Sequence, residues 1–277
     1  MNILITGASG FIGCNLIQAL IKTPHNITAC IHKTELPYNI KIFKVDYAQM
    51  LKITDWLPLL IGIDVVINCA GIINESKKHS FDTMHHLAPI ALFGACDKTH
   101  VKRIIQISAL GADDSALVAF HKSKKLADDY LKEKKLEWII LKPSLVYGKG
   151  GKSFSFFKKL SNLPITPLIG DGEQLIQPVS IETLIDVIIH SIHSKQNRMV
   201  LDVVGKQKIS YKTWMQQLRQ KKSPIKFINI PLYFMQLIAT IFKPFHLKLL
   251  SNDNLIMLQQ NNIANPKPLT HFMENNS

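Results

Sequence analysis

Cysteine is scarce in this 277-residue chain, and its four cysteines stand apart from one another. They are Cys14, Cys30, Cys69 and Cys96. No two of them form a Cys-x-x-Cys pair, and none has a histidine at a metal-binding spacing. This pattern predicts reduced, buried cysteines in a cytoplasmic protein, without disulfides. No metal site is expected from His79, His85 and His86 either, because adjacent helical positions point to different faces.

Long apolar runs and several catalytic motifs are also absent. No uninterrupted apolar run reaches the roughly 18 residues of a transmembrane helix. The N-terminus starts on a strand-like run and lacks the basic region of a signal peptide, so we do not expect export. Neither the Gly-x-Ser-x-Gly elbow nor the complete P-loop pattern occurs.

Acidic residues are few, and one long stretch has none. The chain has 33 Lys and Arg against 20 Asp and Glu, a formal net charge of +13. No acid lies between Asp202 and Asp253. The cations of that stretch are Lys206, Lys208, Lys212, Arg219, Lys221, Lys222, Lys226, Lys243 and Lys248. The basic region 203–252 is either a solvated face or a surface for an anionic membrane or an acidic protein partner. No nucleic-acid motif accompanies it, so nucleic acid is not expected as a partner.

A glycine-rich junction near the N-terminus is the most informative feature present. An apolar run at 2–5 leads into Gly7, Gly10 and Gly13, and an amphipathic segment follows. Glycines at this spacing allow a tight turn, close approach of a pyrophosphate and close packing of helix on strand. The helix N-terminus then offers free N–H groups to phosphate. The junction therefore predicts a dinucleotide-binding loop.

Apolar runs and amphipathic segments alternate along the first half of the chain. We predict strands at 3–5, 27–31, 40–45, 65–68, 104–107 and 137–141. We predict helices around 11–22, 47–60, 83–99 and 121–135. Strands that are apolar on both faces indicate a parallel sheet covered by helices. The fold class is therefore α/β, a doubly wound Rossmann-like parallel sheet with a small C-terminal α/β lobe.

The chain divides, in this interpretation, into two parts. Residues 1–148 form the dinucleotide-binding domain, and part of 175–205 returns to it. Residues 149–277 form the small substrate or partner lobe with the C-terminal tail. An apolar segment at 231–250 is predicted either to pack on the lobe or to lie flat on a membrane.

The loops after the strands carry the candidate ligand contacts, because ligands bind beyond the carboxyl ends of parallel strands. The candidates from this rule are His32, Lys33, Asp46, Tyr47, Cys69, Ala70, Gly71 and Ser108. Lys33 favours the 2′-phosphate of NADP(H), with NAD(H) as the alternative. Asp46 either accepts from the adenine amino group or caps the next helix.

Four segments resemble the atypical, epimerase-like branch of the short-chain dehydrogenase/reductase superfamily. They are 7–13 (GASGFIG), 68–71 (NCAG), 141–148 (LKPSLVYG) and 177–182 (QPVSIE). The resemblance covers nearly the whole chain. It implies pyrophosphate contacts from Gly7, Ser9, Gly10, Phe11, Ile12 and Gly13. It further implies carboxamide contacts from Pro143, Ser144 and Val146.

Two further segments are similar to a narrower group. Residues 107–113 (ISALGAD) and 229–232 (NIPL) resemble the proteins related to the nucleotide-binding accessory subunit of respiratory complex I.

The chain departs from the superfamily at its catalytic motif. The motif is Tyr-x-x-x-Lys on a helix, with the lysine bound to the nicotinamide ribose and the tyrosine transferring a proton. Here Lys124 fits the lysine position, but the tyrosine position holds Phe120. A one-residue shift pairs His121 with Lys125 and makes His121 the substitute acid. Ser108 is the predicted carbonyl-polarising residue.

Three functional hypotheses follow. The first is a redox or epimerase-type enzyme that uses NADP(H) on a small carbonyl or sugar-like substrate. The second is a non-catalytic structural or assembly protein that is stabilised by bound nucleotide and associates with a membrane surface or a protein complex. The third is a redox-sensing regulator. The expected location is cytoplasmic, with peripheral membrane association as an extension of the second hypothesis.

Overall fold

The computed structural model describes residues 1–220, 225–231, 234 and 252–274. The chain forms two compact units. The first comprises Met1–Pro143, Ile181–Val203 and Pro266–Ser277, and the second comprises Ser144–Ser180 and Val204–Asn265. Two features differ from the predicted division at residue 148. The first unit ends its opening segment at Pro143, and the C-terminal segment groups with the first unit rather than the lobe.

A seven-stranded parallel sheet forms the centre of the first unit. Its strands, numbered along the chain, are β1 Asn2–Thr6, β2 Asn26–Ile31, β3 Lys41–Lys44, β4 Val65–Asn68, β5 Arg103–Ile107, β6 Glu137–Pro143 and β11 Met199–Val203. Across the sheet they lie in the order β11-β6-β5-β4-β1-β2-β3. The chain runs outward from β1 through β2 and β3, and then returns to the other side of β1 at β4. The gap between β1 and β4 is therefore the switch point of a doubly wound sheet, where such folds bind ligands.

Five helices lie between these strands along the chain: α1 Phe11–Leu20, α2 Ile53–Trp56, α3 Ala88–Asp97, α4 Ala119–Lys132 and α6 Ile181–His193. A further helix of the first unit, α9 Lys267–Glu274, comes after the last strand. A π-helix, Asp82–Leu87, precedes α3, and two short 3₁₀ helices, Tyr47–Gln49 and Leu57–Leu60, flank α2. Ile3, Leu4 and Ile5 of β1 are fully buried, as expected for a strand covered on both faces.

The second unit pairs short strands around its own aromatic core. Its strands are β7 Val146–Tyr147, β8 Ile165–Ile169, β9 Leu175–Ile176, β10 Val179–Ser180, β12 Ile209–Ser210 and β13 Lys226–Ile230. Its helices are α5 Lys152–Ser161, α7 Tyr211–Leu218 and α8 Asn252–Gln259. Phe157 contacts both Tyr211 and Trp214, with ring centroids 5.9 and 5.2 Å away. The pairs β7–β10, β9–β12 and β8–β13 each form a small two-stranded sheet.

The predicted fold class is confirmed by the parallel sheet and its helical layers. Within the part of the chain that the structure describes, no helix is long and apolar enough to cross a membrane. The predicted apolar segment 231–250 and the cations Lys221, Lys222, Lys243 and Lys248 fall mostly or wholly outside the described residues.

Candidate functional site

The loop after β1 brings main chain close to main chain. Gly7 has φ +62°, and a Cβ on it would lie 2.6 Å from the Ala70 nitrogen. A Cβ on Gly13 would lie 2.4 Å from the Gly7 oxygen, so α1 packs directly against the loop. The Gly10 N–H donates to the Gly7 oxygen at 2.9 Å and closes the turn. The predicted tight turn and close helix packing are confirmed.

The N-terminus of α1 is open to an anion. Its N-cap is Gly10, no side chain caps it, and its first turn has no acidic residue. The N–H groups of Phe11, Ile12 and Gly13 lie in this first turn, where a helix leaves its donors without intrahelical acceptors. Ser9 is half-buried next to them. Donors and helix dipole together favour a pyrophosphate at this end.

His32 and Lys33 follow β2, and both are exposed. Lys33 has no hydrogen bond or ion pair with any residue that the structure describes. The first acid after β2, Glu35, instead pairs with Lys44 of β3 at 2.9 Å. This edge of the sheet therefore presents a free cation at Lys33, while the next acid along the chain, Glu35, is paired with Lys44.

Asp46 follows β3 and caps the 3₁₀ helix at Tyr47–Gln49, accepting from the Ala48 N–H at 3.2 Å. The capping interpretation of Asp46 is thus confirmed, and its contact with adenine stays a prediction. Tyr47 is in the core, 7% exposed, and its hydroxyl donates to Asn68 at 3.0 Å. The phenol therefore lies in the core, and the predicted cofactor contact of Tyr47 stays a prediction.

A buried polar chain crosses the carboxyl ends of three neighbouring strands. Thr6 of β1 donates to Asn68 of β4 at 2.5 Å, and Asn68 donates to Gln106 of β5 at 2.7 Å. With Tyr47 on the same Asn68 oxygen, these bonds fix the strand ends beneath the glycine loop. Sequence reasoning assigned Asn68 to a motif but missed this network, because its members are far apart along the chain.

Cys69, Ala70 and Gly71 continue from β4 beside α4. Desolvation raises the pKa of the Cys69 thiol to about 12, although the nearby Lys124 charge opposes this. A Cβ on Gly71 would lie 3.3 Å from His85 Nε2 and 3.8 Å from Lys124 Nζ. The three small residues thus form a narrow floor next to the predicted nicotinamide-ribose lysine.

Lys124 is buried in α4, at 7% exposure, and its Nζ donates to the Ile107 oxygen at the end of β5, at 3.1 Å. Burial lowers its pKa to about 8, and the Asp128 carboxylate one turn along α4 opposes this shift. Lys124 therefore lies where β4, β5 and α4 meet, as the family pattern implies.

Phe120, the residue at the tyrosine position, packs among aromatic rings one turn before Lys124. Its ring lies edge-on to Phe81 and His85, with centroids 5.7 and 5.2 Å away. The Lys124 Nζ lies 5.7 Å from the Phe120 centroid. Phe120 and Lys124 therefore lie one turn apart on α4 with their side chains close together, and the replacement of the family's tyrosine by Phe120 stays a prediction.

His85 is a site residue whose role the sequence did not indicate. It is 2% exposed, its Nε2 accepts from the Ile72 N–H at 3.0 Å, and its Nδ1 lies 3.2 Å from Ser123 Oγ. Ser123 donates in turn to the Phe120 oxygen at 3.1 Å. Burial and the Lys124 charge hold the pKa of His85 well below its usual range. A neutral His85 with its proton on Nδ1 thus connects the β4 loop to α4.

Ser108 is 3% exposed, and its hydroxyl donates to Asp128 Oδ2 at 2.5 Å. This bond uses the proton that carbonyl polarisation needs, so the geometry gives Ser108 a structural contact with α4. Burial raises the pKa of Asp128 to about 6, and the Ser108 hydrogen bond and the Lys124 charge oppose this. The predicted catalytic role of Ser108 stays a prediction, and it requires the hydroxyl to turn away from Asp128.

His121 lies against the loop that follows β5. A Cβ on Gly111, which has φ +91°, would lie 3.1 Å from the His121 ring. Its ring centroid is 5.3 Å from that of Phe120, and its exposure is 8%. His121 is therefore a buried neighbour of Phe120.

The segment predicted to follow the carboxamide is divided between the two units. Pro143 ends β6 and accepts from the Leu110 N–H at 2.9 Å. Ser144 belongs to the second unit and donates to the Gln177 oxygen at 2.6 Å. Val146 lies in β7 and pairs with Val179 of β10. Their carboxamide contacts stay predictions.

The described residues fit a dinucleotide. The glycine loop is a cradle that any Cβ would fill, an uncapped helix end opens on it, and a buried lysine lies two strands away at the end of β5. A family described as NAD(P)H-binding matches residues 7–162, more than half of the chain. The protein belongs to this family, as an atypical, epimerase-like short-chain dehydrogenase/reductase.

Two curated proteins illustrate the range of relatives. The mitochondrial NADH dehydrogenase (ubiquinone) 1 alpha subcomplex subunit 9 of Arabidopsis thaliana is 27% identical over 208 residues, which is 70% of this chain and 51% of that protein. This chain therefore spans about half the length of that relative. An epimerase family protein of Staphylococcus saprophyticus is 25% identical over 222 residues, covering 72% of this chain and 73% of that protein.

Solved structures share the fold. UDP-glucuronic acid 4-epimerase from Bacillus cereus, in complex with UDP-glucuronic acid and NAD, superposes with a TM-score of 0.68 at 23% identity. The match covers 83% of this chain and 86% of that one. Family and fold together support nicotinamide-dinucleotide binding.

Proposed function

We propose that this protein binds NADP(H) and holds it as a resident ligand, in a scaffold that lacks the superfamily's tyrosine proton donor. The observation that carries the proposal is Phe120, one turn before Lys124 on α4, with its ring packed on Phe81 and His85. Binding and turnover depend on different residues here, and only the binding residues are complete.

Different groups of the chain bind different parts of the dinucleotide. The α1 N-terminus and the glycine loop bind the pyrophosphate, and Lys33 binds the 2′-phosphate. Asp46 accepts from the adenine, while Lys124 donates to the nicotinamide ribose above the floor at Gly71. When bound, the nicotinamide supplies hydride chemistry.

Proton transfer is the part that lacks a residue. Phenylalanine carries no exchangeable side-chain proton, and the Ser108 hydroxyl is bonded to Asp128. Loss of a positioned acid or base costs roughly 10²–10⁴-fold in rate. A protein with this deficit gains stability from its nucleotide without needing to consume it.

A second candidate function is favoured by the retention of Lys124. A buried lysine with a pKa of about 8 is a costly group to keep for packing alone. In this alternative the protein is a redox or epimerase-type enzyme on a small carbonyl or sugar-like substrate. Its proton comes from water, from the substrate or from His121.

Calorimetry and a turnover assay on the full chain separate the two candidates. We expect wild-type protein to bind NADPH more tightly than NADH, and Lys124→Ala to weaken NADPH binding about tenfold. Lys33→Asp should shift the preference toward NADH. The matched control is Lys22→Asp, the same charge change on an exposed residue beyond the end of α1.

Turnover is then followed in two ways. Aldehydes and ketones are tested by loss of reduced nicotinamide, and nucleotide sugars by formation of the epimer, because epimerisation leaves the redox state of the cofactor unchanged overall. The resident-ligand proposal expects neither reaction from wild type, and either reaction, if Lys124→Ala abolishes it, would overturn that proposal in favour of the enzyme. If neither NADPH nor NADH binds, both functions fall together.

A partner surface belongs to the resident-ligand proposal. The basic region 203–252 is its proposed site, facing an anionic membrane or an acidic protein. Among the described residues, Lys206 and Lys208 are exposed, whereas Arg219 is bonded to the Ser161 and Leu163 oxygens.

A further inference from the structure

We infer that His79, together with His32, recognises the 2′-phosphate of NADP(H); this inference rests on the proposed NADP(H) binding. His79 lies on the loop that follows β4, whereas Lys33 lies on the loop that follows β2. His79 would add an imidazole from a second loop to the lysine at the edge of the sheet where NADP(H) is distinguished from NAD(H).

The two histidines flank one carboxylate. His79 Nε2 lies 3.7 Å from Asp46 Oδ1, and His32 Nε2 lies 3.9 Å from Asp46 Oδ2. Their rings meet edge to face, with centroids 5.9 Å apart. The side chains of His32 and Asp46 are 43% and 40% exposed, so the cluster opens to solvent.

Hydrogen bonds within the loop that carries His79 fix the position of this histidine. Ser76 and His79 exchange backbone hydrogen bonds of 2.9 and 3.3 Å. Ser76 Oγ also accepts from the His79 N–H at 3.1 Å, and Glu75 accepts from the Phe81 N–H at 2.8 Å. These bonds hold the turn over the end of β3.

The position suits the ribose end of the dinucleotide. β1, β2 and β3 are consecutive neighbours in the sheet. Strand spacing of about 4.8 Å puts the end of β3 about 10 Å from the end of β1. A ligand whose pyrophosphate binds at α1 therefore reaches this cluster with its adenosine half.

The local charge favours a phosphate dianion. Lys33, Lys77 and Lys78 are exposed around the cluster, and Glu35 is paired with Lys44. Asp46 alone would repel a phosphate, but it holds both imidazoles by one nitrogen each. Each ring keeps its Nδ1 without a hydrogen-bond partner among the residues described. An imidazole that lies between Asp46 and a phosphate presents one ring nitrogen to each, and here Nδ1 is the nitrogen left for the phosphate.

Metal binding is the competing use of this cluster, and the geometry does not support it. Across the described residues, no group of three His, Cys, Asp or Glu side chains is arranged to hold a metal ion. The 3.7 and 3.9 Å separations fit ion pairs between histidine and carboxylate instead.

The test compares two probes that differ only in the 2′-phosphate. Calorimetry on the full chain gives Kd values for adenosine 2′,5′-bisphosphate and adenosine 5′-monophosphate. We expect wild type to prefer the bisphosphate, and His79→Ala to reduce that preference about tenfold, the loss of one charge-assisted hydrogen bond. His79→Gln keeps an N–H donor and should retain part of the preference.

His86→Ala is the matched control, because His86 is a nearby histidine that pairs with Asp82. It should leave the ratio of the two Kd values unchanged. If His79→Ala leaves the ratio of the two Kd values unchanged, the inference is overturned. Equal weakening of both probes is one such result, and it indicates a structural role for His79. If His79→Ala does not fold, His79→Gln and His32→Gln decide by the same ratio. Wild type that binds neither NADPH nor either probe instead refutes the proposed function.

Discussion

Gly13 lies in close contact with the main chain of the glycine loop, next to the proposed pyrophosphate site. A Cβ there would lie 2.4 Å from the Gly7 oxygen and 2.8 Å from the Ala8 Cα, both main-chain atoms that cannot rotate away. We expect Gly13→Ala to push α1 off the glycine loop. NADPH affinity should fall at least about tenfold, because the helix N–H groups lose their aim at the pyrophosphate. Calorimetry on the folded variant measures this.

Gly62 provides the control for Gly13. It also has a positive φ, +73°, but no atom lies within 4 Å of the position that its Cβ would take. Gly62→Ala should cost about 1 kcal/mol of stability from backbone strain alone. Its NADPH affinity should equal that of wild type. Equal affinities in both variants would contradict the role given to the Gly13 contact.

His85 shows which residues could not be found from the sequence. It was grouped with His79 and His86 because the three are close along the chain. In the structure the π-helix Asp82–Leu87 buries His85 against Ile72 and Ser123, whereas His86 pairs with Asp82. Periodicity of 3.6 residues does not predict a π-helix. Lys124 and Phe120 were found because a four-residue spacing is local.

Ser108 shows a second limit at the same scale. A serine at the end of a strand is a reasonable catalytic candidate, but its hydroxyl is bonded to Asp128, 20 residues further on. Which partner a buried hydroxyl selects depends on tertiary packing. The sequence predicted the location of Ser108 and not the direction of its hydrogen bond.

Among the elements, α4 carries two adjacent aspartates in opposite environments. Burial raises the pKa of Asp128 to about 6 from 3.8. Its contribution to stability is therefore full below about pH 4 and is lost as the pH rises to about 6. We expect the stability of wild type, relative to Asp128→Asn, to decline across this window by on the order of 3 kcal/mol. Urea unfolding at successive pH values measures the difference.

Asp129 gives the opposite sign on the same helix. Burial raises its pKa, but hydrogen bonds from Lys125 and Lys132 outweigh this, so the net shift is downward. Its contribution is present above its ordinary pKa and is lost as the pH falls. The stability of wild type relative to Asp129→Asn should therefore rise with pH, by only a few tenths of a kcal/mol because the Asp129 side chain is 40% exposed and solvent screens its pairs. Two curves of the same sign would show that burial does not control Asp128.

The strands were predicted more closely than the connections. The predicted strand at 65–68 coincides with β4, and the other five differ from β1, β2, β3, β5 and β6 by one or two residues at an end. Buried parallel strands are continuous apolar runs, which are visible locally. β11 is harder to find, because its sequence includes Asp202, Val200 is exposed, and its partner β6 is distant along the chain. The sequence predicts only that part of 175–205 returns to the dinucleotide-binding domain.

In the molecule as a whole, the proposed nucleotide contacts and much of the excess positive charge lie in different parts of the chain. The first unit contains the glycine loop, the His32–Asp46–His79 cluster and Lys124, so the proposed nucleotide contacts start in one compact unit. Much of the excess positive charge lies in the 203–252 stretch that carries no acid. The proposed scaffold thus assigns nucleotide binding to the first unit and the proposed partner surface to the basic stretch 203–252.

A resident nucleotide must also appear in the stability of the whole chain. At a free concentration 100 times Kd, binding adds about 2.7 kcal/mol, which corresponds to roughly 5–10 °C in Tm for a domain of this size. We expect NADPH to raise the Tm of wild type that has first been stripped of its nucleotide by this amount, because the ligand binds only the folded glycine loop. With Kd raised about tenfold, Lys124→Ala should show about half of this rise at the same concentration, and Gly13→Ala half or less. Gly62→Ala should show the full rise. Mass spectrometry of wild type that was purified without added nucleotide, then heat-denatured, should detect about one NADP(H) per chain. Protein that releases no nucleotide, yet gains the full Tm shift on addition, binds NADP(H) as an exchangeable ligand and refutes the resident one.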